Sequence, residues 1–446
     1  MKTKTLLTLT ALTSVLMAGC TNDEPLVTLQ KDNHGPIGSS VAKSRTVEDV
    51  LDIANNLAAI GGQPTSRGNR RVSYGRDAVC AIGTPSSRGG GRLADTLLYA
   101  VNYDNGQGYA LIAAPENVDP IIGIVESGEF ATFETVSNGG FQFYLDAAKN
   151  YIRTMSVTRA TDPPIIIKPM FHDVTHIYND TIAPRIKVKW RQHYPEGYLC
   201  PNKVAGCVMT AMVQMLSYIE APSKITLTYP ERDRSEQVLN WAEIKKHRES
   251  IDRNDGVSVN QHLARCGASQ ESHMALARVV RELGHRNNAR YSNSPLETGS
   301  DISVARRTLI SLLPNHQISD VMNYGQNYSD LSLFGNLTSE DRVIFMQGRQ
   351  VGESYGHAWI LDGGLQVGNV TYRTYSVSPV IGSDQKTFVT ERNLLLLFHF
   401  NWGWNGFCDG YFLPDVFEPG DSVKYDKYGG GSMSNYSENV RYFMLH

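Results

Sequence analysis

Apolar residues recur at helical spacing in one stretch near the middle of the chain. The positions are Val208, Ala211, Met212, Met215, Leu216 and Ile219. This spacing is typical of a helix that buries one face. Pro222 cannot continue the helix, and Gly206 stands just before it, where the backbone can turn sharply. The pattern therefore predicts a helix that begins at or next to Cys207.

The first third of the chain predicts a small module of mixed helix and strand. Thr46 and Asp49 are spaced as a capping box in front of apolar positions at helical spacing. Asn105-Gly106 between two β-rich runs is a strong hairpin signal. The predicted elements are a helix from residue 46, strands Leu97–Tyr103, Gly108–Ala114 and Ile121–Val125, and a helix Phe141–Ile152.

The last two thirds of the chain predict helices first and strands afterwards. The predicted helices are the Cys207 helix, Asn260–Leu283 and Ile302–Leu313; the predicted strands are Val343–Met346, one beginning at His357, Val370–Val377, Leu394–Phe400, Gly410–Leu413 and Val440–Leu445. This order indicates an α+β fold with an antiparallel sheet. The chain thus divides into a first domain at 46–160, a proline-containing, basic linker at 161–185 that is exposed and easily cut, and a second domain at 186–446.

The N-terminus has the pattern of an export signal. Lys2 and Lys4 precede a short apolar stretch, Leu6 to Met17, which is shorter than the ~20 residues of a membrane span. The ending Ala18-Gly19-Cys20 resembles a bacterial lipobox, in which Cys20 is lipidated. We therefore expect a lipoprotein signal at 1–19 and a tether at 20–45, with an ordinary cleaved secretory signal as the alternative.

Composition narrows the classes of function. Hydrophobic residues make up 41% and charged residues 20%, as in soluble globular proteins, and the net charge of −3 gives no reason to expect nucleic acid. Besides Cys20 there are five cysteines, an odd number, which argues against a full disulfide framework. Their spacings contain no close metal pair, so the sequence predicts no metal and no cofactor.

Cys207 is the candidate nucleophile. The N–H groups and the positive dipole end of a helix N-terminus favour a thiolate. A lone cysteine is more often a small core residue, so further residues must support the assignment. Gln192, in Trp190-x-Gln192, precedes Cys207 in the chain. His357, in Gly356-His357-Ala358, follows about 150 positions after Cys207, and Asn401-Trp402 comes after His357.

Together these stretches resemble the streptopain family of bacterial cysteine peptidases. The shared pieces also include Cys200-Pro201, Ala205-Gly206 before Cys207, and Gly403-Trp404-Asn405-Gly406 followed by Asp409-Gly410-Tyr411-Phe412. The resemblance implies a papain-like peptidase domain at 186–446, with a helical layer on an antiparallel sheet. It also implies a smaller α/β inhibitory pro-domain at 46–160 and an activation cleavage in the linker at 161–185. The chain departs from the family at Tyr291–Thr298, where relatives carry a run of small residues, so the sequence does not predict its cleavage specificity.

The chemistry of thiol peptidases assigns a role to each residue. Cys207 would attack the peptide carbonyl, and His357 would act as the base that also protonates the leaving amine. Gln192 would donate to the oxyanion beside the Cys207 N–H. Asn401 would orient His357, and Trp402 would cover that hydrogen bond. His399 is the competing base, because it lies beside Asn401.

The sequence thus predicts an exported cysteine endopeptidase made as a zymogen. Its expected partners are protein or peptide substrates and its own pro-domain, with a lipid anchor as the membrane contact. The expected location is the outer membrane or cell surface, with release after processing. Two alternatives stay open: a thiol acyltransferase or amidase with the same Cys-His pair, and an inactive protease-like lipoprotein that acts as a binding protein.

Overall fold

One antiparallel sheet runs through the computed structural model, which describes residues 43–60, 71–72, 78–83, 96–130, 138–158, 172–229, 234–248, 258–291, 298–324, 330–338, 342–349, 356–376, 385–414 and 440–445. The helices are α1 (Val47–Ile60), α2 (Gly139–Thr158), α3 (Cys207–Ile219), α4 (Trp241–Lys246), α5 (Val259–Cys266), α6 (Gln270–Arg286), α7 (Ile302–Leu312) and α8 (Asp330–Thr338). The strands are β1 (Val79–Gly83), β2 (Thr96–Asn102), β3 (Tyr109–Ala113), β4 (Ile121–Val125), β5 (His172–Ile182), β6 (Lys224–Thr226), β7 (Glu236–Val238), β8 (Met322–Asn323), β9 (Val343–Arg349), β10 (Gly356–Ser376), β11 (Gln385–Asn401), β12 (Gly410–Phe412) and β13 (Arg441–Leu445).

The sheet joins the two predicted domains. Its strand order is β1-β2-β3-β4-β12-β11-β10-β9-β13-β8, with β5 paired to β10; β6 and β7 form a separate pair. The junction is the pairing of β4 with β12, in which Tyr411 lies opposite Ile124. The first third and the last third of the chain therefore share one continuous hydrogen-bonded sheet.

Each face of the sheet is covered by its own layer of helices, because side chains alternate along a strand. On β10, Trp359 and Leu361 join a core with Phe141 and Tyr144 of α2. Ala358 and Ile360 point the other way, into a core that contains Val208 and other buried residues of α3. The predicted α+β layout, with a helical layer on an antiparallel sheet, is confirmed.

Local sequence signals account for most element boundaries. Thr46 and Asp49 form the expected reciprocal bonds before α1, with Asp49 N–H donating to Thr46 Oγ1 at 3.2 Å. Strand β4 has the predicted bounds, and Asn105 has the positive φ of 59° that its hairpin turn requires. Helix α3 begins at Cys207 and ends at Ile219, before Pro222.

Three predicted elements differ from the structure. The single helix expected over residues 260–283 is two helices, because Gly267 has a left-handed φ of 65° and Ser269 caps α6 by accepting from Ser272 N–H. The strands expected at His357 and at 370–377 are one strand, β10. Within the expected linker at 161–185, β5 pairs along β10.

Some predictions fall outside the described residues. These are the signal, lipobox and most of the tether at 1–42, and residues 292–297 of the loop where the chain departs from its family. Within the described part of the chain, no helix has the length and apolar character needed to cross a lipid bilayer.

Candidate active site

Gly206 sets the position of Cys207 at the first residue of α3. Its φ is 86°, and a Cβ there would lie 2.7 Å from the carbonyl oxygen of Thr298. Both features require glycine. The turn leaves the Cys207 side chain half-buried at the helix N-terminus.

Three backbone N–H groups surround the Cys207 thiol. Those of Cys207 and Val208 belong to the helix start, as predicted, and the third is that of Ala358, the residue after His357 on β10. Burial nevertheless raises the pKa of Cys207 and outweighs the lowering by these donors. The expected thiolate is therefore not favoured in this conformation.

His357 is buried and hydrogen-bonded through the ring nitrogen Nε2. Nε2–H donates to the backbone carbonyl of Trp402 at 3.1 Å, which leaves Nδ1 as the proton acceptor. Burial lowers the pKa of His357 to about 4, although this hydrogen bond works in the opposite direction. The imidazole is therefore neutral at physiological pH, in the form needed for a general base.

Helix α2 of the first third covers the His357 ring. A Cβ on Gly140 would overlap Cδ2 of His357 and would lie 2.6 Å from both His357 Nε2 and the Trp402 ring. Asn138 fixes the start of this helix, because its Oδ1 accepts from Gly140 N–H at 3.0 Å. Asn138 Nδ2 also donates to the Phe407 carbonyl at 3.0 Å, which ties α2 to the loop after Trp402.

Cys207 and His357 meet at the same strand but do not form an ion pair in this conformation. The His357 ring lies nearly parallel to that of Trp359, two residues on, at 6.5 Å, so it faces α2. Cys207 contacts the neighbouring Ala358 from the α3 side. The pKa shifts of both groups come from burial and backbone hydrogen bonds, with neither residue acting on the other. The predicted thiolate–imidazolium pair thus requires the imidazole to turn away from α2.

Gln192 is buried and lies beside the start of α3. Its backbone carbonyl accepts from Ala205 N–H at 2.6 Å, two residues before Cys207. Trp190 is fully buried, and its indole N–H donates to Ser217 of α3 at 3.0 Å. The loop that carries Gln192 is therefore anchored to the cysteine helix at both ends of that helix.

Asn401 is bound to the cysteine helix rather than to His357. Its Oδ1 accepts from the side-chain amide of Gln214 and from Gly403 N–H at 3.3 Å. The far ring nitrogen of His357 bonds instead to the carbonyl of the next residue, Trp402, whose own N–H donates to Asp409 at 2.9 Å. In this structure Trp402 therefore has the contact that was expected of Asn401.

His399, the competing base, belongs to a buried charge cluster. Its Nδ1 lies 2.6 Å from Asp362 Oδ1, and its Nε2 lies 3.6 Å from Glu126 just beyond β4. Burial alone would lower the pKa of His399, but Asp362 and Glu126 raise it to about 10. A group that holds its proton so firmly is a poor general base, so its role is structural.

Two residues of this site were missed by the sequence reasoning. Gly140 had a weak signal: two glycines, Gly139 and Gly140, at the start of a predicted helix favour close approach of another element. Gln214, seven positions after Cys207 on the same helix, is a fully buried polar side chain that had no sequence signal, because it lies off the apolar face predicted for this helix.

Two family comparisons match different parts of the chain. The family model described as "Peptidase C10 family" matches residues 185–412, about half of the chain. This range contains Gln192, Cys207, His357 and Asn401. The chain belongs to the Peptidase C10 family. It is a cysteine-type peptidase, the predicted resemblance to streptopain is confirmed, and the fold is papain-like. The description "Spi protease inhibitor" matches residues 63–152, which identifies the first third as a zymogen-type pro-domain.

Individual relatives of this C10 peptidase are distant. Streptopain of Streptococcus pyogenes is 23% identical over 371 residues, which cover 79% of this chain and 81% of streptopain. The thiol protease/hemagglutinin PrtT of Porphyromonas gingivalis is 23% identical over 366 residues, 73% of this chain but only 35% of PrtT. A fragment of Prevotella intermedia prointerpain A is 20% identical, with a TM-score of 0.49 over 79% of this chain and 96% of the fragment.

Proposed function

We propose that this chain is an exported cysteine endopeptidase, made as a zymogen, with Cys207 as its nucleophile and His357 as its base. The observation that carries the proposal is the position of Cys207. Its thiol lies at a helix N-terminus, close enough to Ala358 N–H, the backbone group next to His357, for that N–H to act against the rise of its pKa that burial causes. A nucleophile and a base on adjacent elements are what thiol peptidases require.

In the active form, His357 Nδ1 takes the proton of the Cys207 thiol. The sulfur then attacks the peptide carbonyl, a C–S bond forms, and the C–N bond breaks as the imidazolium returns the proton to the leaving amine. Water, deprotonated by the same imidazole, hydrolyses the thioester and restores the thiol. These steps consume one water for each peptide bond and need no cofactor.

Three further residues complete the proposed active site. The Gln192 side chain and the Cys207 N–H donate to the oxyanion, in support of which Gln192 is bound through its backbone beside the start of α3. The Trp402 carbonyl holds the imidazole in the latent conformation and fixes its proton on Nε2, which leaves Nδ1 as the base when the ring turns toward Cys207. Asn401 acts through Gln214, because its amide holds the end of β11 against the cysteine helix.

The pro-domain keeps the enzyme latent by holding the His357 ring under α2. Support comes from the fit of Gly140 against that ring and from the sheet shared by both domains. Activation then requires a cut between the end of α2 at Thr158 and the start of β5 at His172, inside the range 153–185. The released domain would have about 260–290 residues, a usual size for one large domain.

The N-terminal sequence supports export with a lipid anchor on Cys20. An accessible thiolate is a hazard to the cell that makes it, and an inhibitory pro-domain suits an exported peptidase. Cys20→Ala should move the protein from membranes to the soluble fraction, and labelled palmitate should mark the wild type alone. Equal labelling of both proteins would instead indicate that the N-terminus is an ordinary cleaved secretory signal.

The deciding experiment compares the purified wild type with Cys207→Ala on casein. The wild type should convert itself to a shorter form and then degrade casein, while Cys207→Ala should stay uncut and inactive. N-terminal sequencing of the shorter form locates the cut. A wild type that neither cuts itself nor casein, with no preferential labelling of Cys207 by iodoacetamide, would favour the binding-protein alternative. Transfer to an added amine without hydrolysis would favour the acyltransferase alternative.

A further inference from the structure

Three nitrogen- and sulfur-bearing side chains meet in the helical layer, away from Cys207. His247 follows the last turn of α4, and His262 and Cys266 lie one turn apart on α5. Both histidines are buried and Cys266 is half-buried. The proposed peptidase function assigns no role to this group, which we call the His247 cluster.

The ligand-bearing atoms of the His247 cluster face one another. His247 Nδ1 lies 3.0 Å from His262 Nε2, and Cys266 Sγ lies 3.8 Å from each of these nitrogens. A tetrahedral zinc ion bound at ~2.0 Å to nitrogen and ~2.3 Å to sulfur holds such atoms roughly 3.3 Å apart for two nitrogens and roughly 3.5 Å apart for nitrogen and sulfur. The three observed distances are within a few tenths of an ångström of this geometry.

We propose that His247 Nδ1, His262 Nε2 and Cys266 Sγ bind one zinc ion. Zinc suits this mixture of imidazole and thiolate, and a ligand pair one turn apart on a helix presents both atoms on one face. Binding converts the Cys266 thiol to a thiolate and releases its proton to solvent. The site is distinct from the catalytic residues and structural in kind.

A second observation points to a ligand at the same place. His273 of α6 is 1% exposed, and among the described residues neither of its ring nitrogens has a hydrogen-bond partner. Its ring lies 5.8 Å from that of His247 and 6.3 Å from that of His262. An unpaired buried imidazole is costly, and rotation of its side chain makes His273 the fourth ligand.

A hydrogen bond between two neutral imidazoles would explain only the 3.0 Å contact between His247 Nδ1 and His262 Nε2. It would not explain why Cys266 is equidistant from both nitrogens, nor why a third imidazole beside them lacks a partner. His247 Nε2 lies 2.9 Å from Ser272 Oγ, which orients the ring through its other nitrogen, as is usual for a metal-bound histidine.

The zinc ion would brace the loop that carries Gln192. Tyr194 in that loop packs edge-to-face on His262 at 5.2 Å. Arg248, next to His247, pairs with buried Glu196 at 3.3 Å and donates to the Lys189 carbonyl at 3.0 Å. Metal binding therefore joins α4, α5 and α6 to the proposed oxyanion loop.

The test uses the full-length Cys207→Ala protein, which removes the catalytic thiol and self-cleavage. After incubation with Zn²⁺ and gel filtration, elemental analysis should find one zinc per chain. Co²⁺ in place of zinc should give the near-ultraviolet charge-transfer band of a cobalt–thiolate bond. A chelator should lower the Tm by roughly 5 °C, as expected when a ligand is removed from a site filled at ~100 times its Kd.

Matched variants locate the metal. Cys266→Ser should lose the cobalt–thiolate band and at least tenfold in zinc affinity, and His262→Gln should lose as much zinc affinity. Cys80→Ser, which changes a cysteine in the pro-domain, should keep both. No zinc in the Cys207→Ala protein, or an unchanged cobalt band in Cys266→Ser, would overturn the proposal. Circular dichroism of each variant separates loss of metal from loss of fold.

Discussion

Adding one methyl group to α2 should weaken the latent state. In Gly140→Ala the new carbon would overlap His357 Cδ2 and lie 2.6 Å from the Trp402 ring. Neither ring can move freely, because His357 is bonded to the Trp402 backbone and the Trp402 side chain is fully buried. The overlap must therefore be relieved by moving α2 away from His357.

The expected size of the effect follows from the cost of overpacking. Forcing an extra carbon into a packed core costs about 1–3 kcal/mol. Here the cost applies only while the pro-domain is docked, so the population with α2 displaced should rise about 5- to 150-fold. Alanine also favours a helix by up to about 1 kcal/mol over glycine, which needs a control. Gly139→Ala provides it, because a Cβ at Gly139 meets nothing within 4 Å.

The assay is the rate at which iodoacetamide labels Cys207, measured before any self-cleavage occurs. Gly140→Ala should be labelled about 5- to 150-fold faster than Gly139→Ala and should also convert faster to the mature form. The isolated peptidase domain provides the upper limit of the labelling rate. Equal labelling of Gly140→Ala and Gly139→Ala would refute the idea that α2 holds His357 in a latent position.

Three further outcomes follow from the site. Gln192→Ala should lower kcat on a peptide substrate by roughly 10²–10³ with little change in KM, and a change in KM alone would assign Gln192 to substrate binding. In the mature enzyme, His357→Ala should shift labelling of Cys207 to higher pH, and an unchanged pH profile would exclude His357 as the base. The pKa of His399 rises from 6.5 to about 10 beside Asp362; its contribution to stability is therefore full below pH 6.5 and lost as pH rises to about 10, so the Tm should fall across that range and less steeply in His399→Gln.

Sequence patterns predicted those elements whose signals are local. The cysteine helix, the Asn-Gly hairpin and β4 follow from spacing and turn residues within a few positions. Two predictions were wrong in their element bounds. Gly267, with its left-handed φ, divides the helix predicted over 260–283, and β10 is one strand where two were predicted. The pairing of β5 with β10 could not be predicted, because it depends on residues far apart in the chain.

The candidate active site was predictable in its residue types but not in its conformation. Their order in the chain and their local motifs identified Cys207, His357 and Gln192 as candidate catalytic residues. Which way the His357 ring turns depends on Gly140, more than two hundred positions earlier and in another domain. The His247 cluster was not predicted, because its members come from two separate helices. The spacing of His262 and Cys266 was a usable signal, but the search considered only closely spaced pairs of cysteines.

The junction of β4 with β12 determines which strand edge the proposed cleavage would expose. While the pro-domain is attached, β12 is an internal strand, paired with β11 on one side and β4 on the other. If the pro-domain left after the proposed cleavage, Gly410–Phe412 would become an edge strand with unpaired N–H and C=O groups. Such edges recruit other strands, and the three-residue length of β12 limits that risk of aggregation. The same edge would give a cleaved pro-domain a template for rebinding, so that cleavage of the chain and release of the active enzyme would be two separate steps.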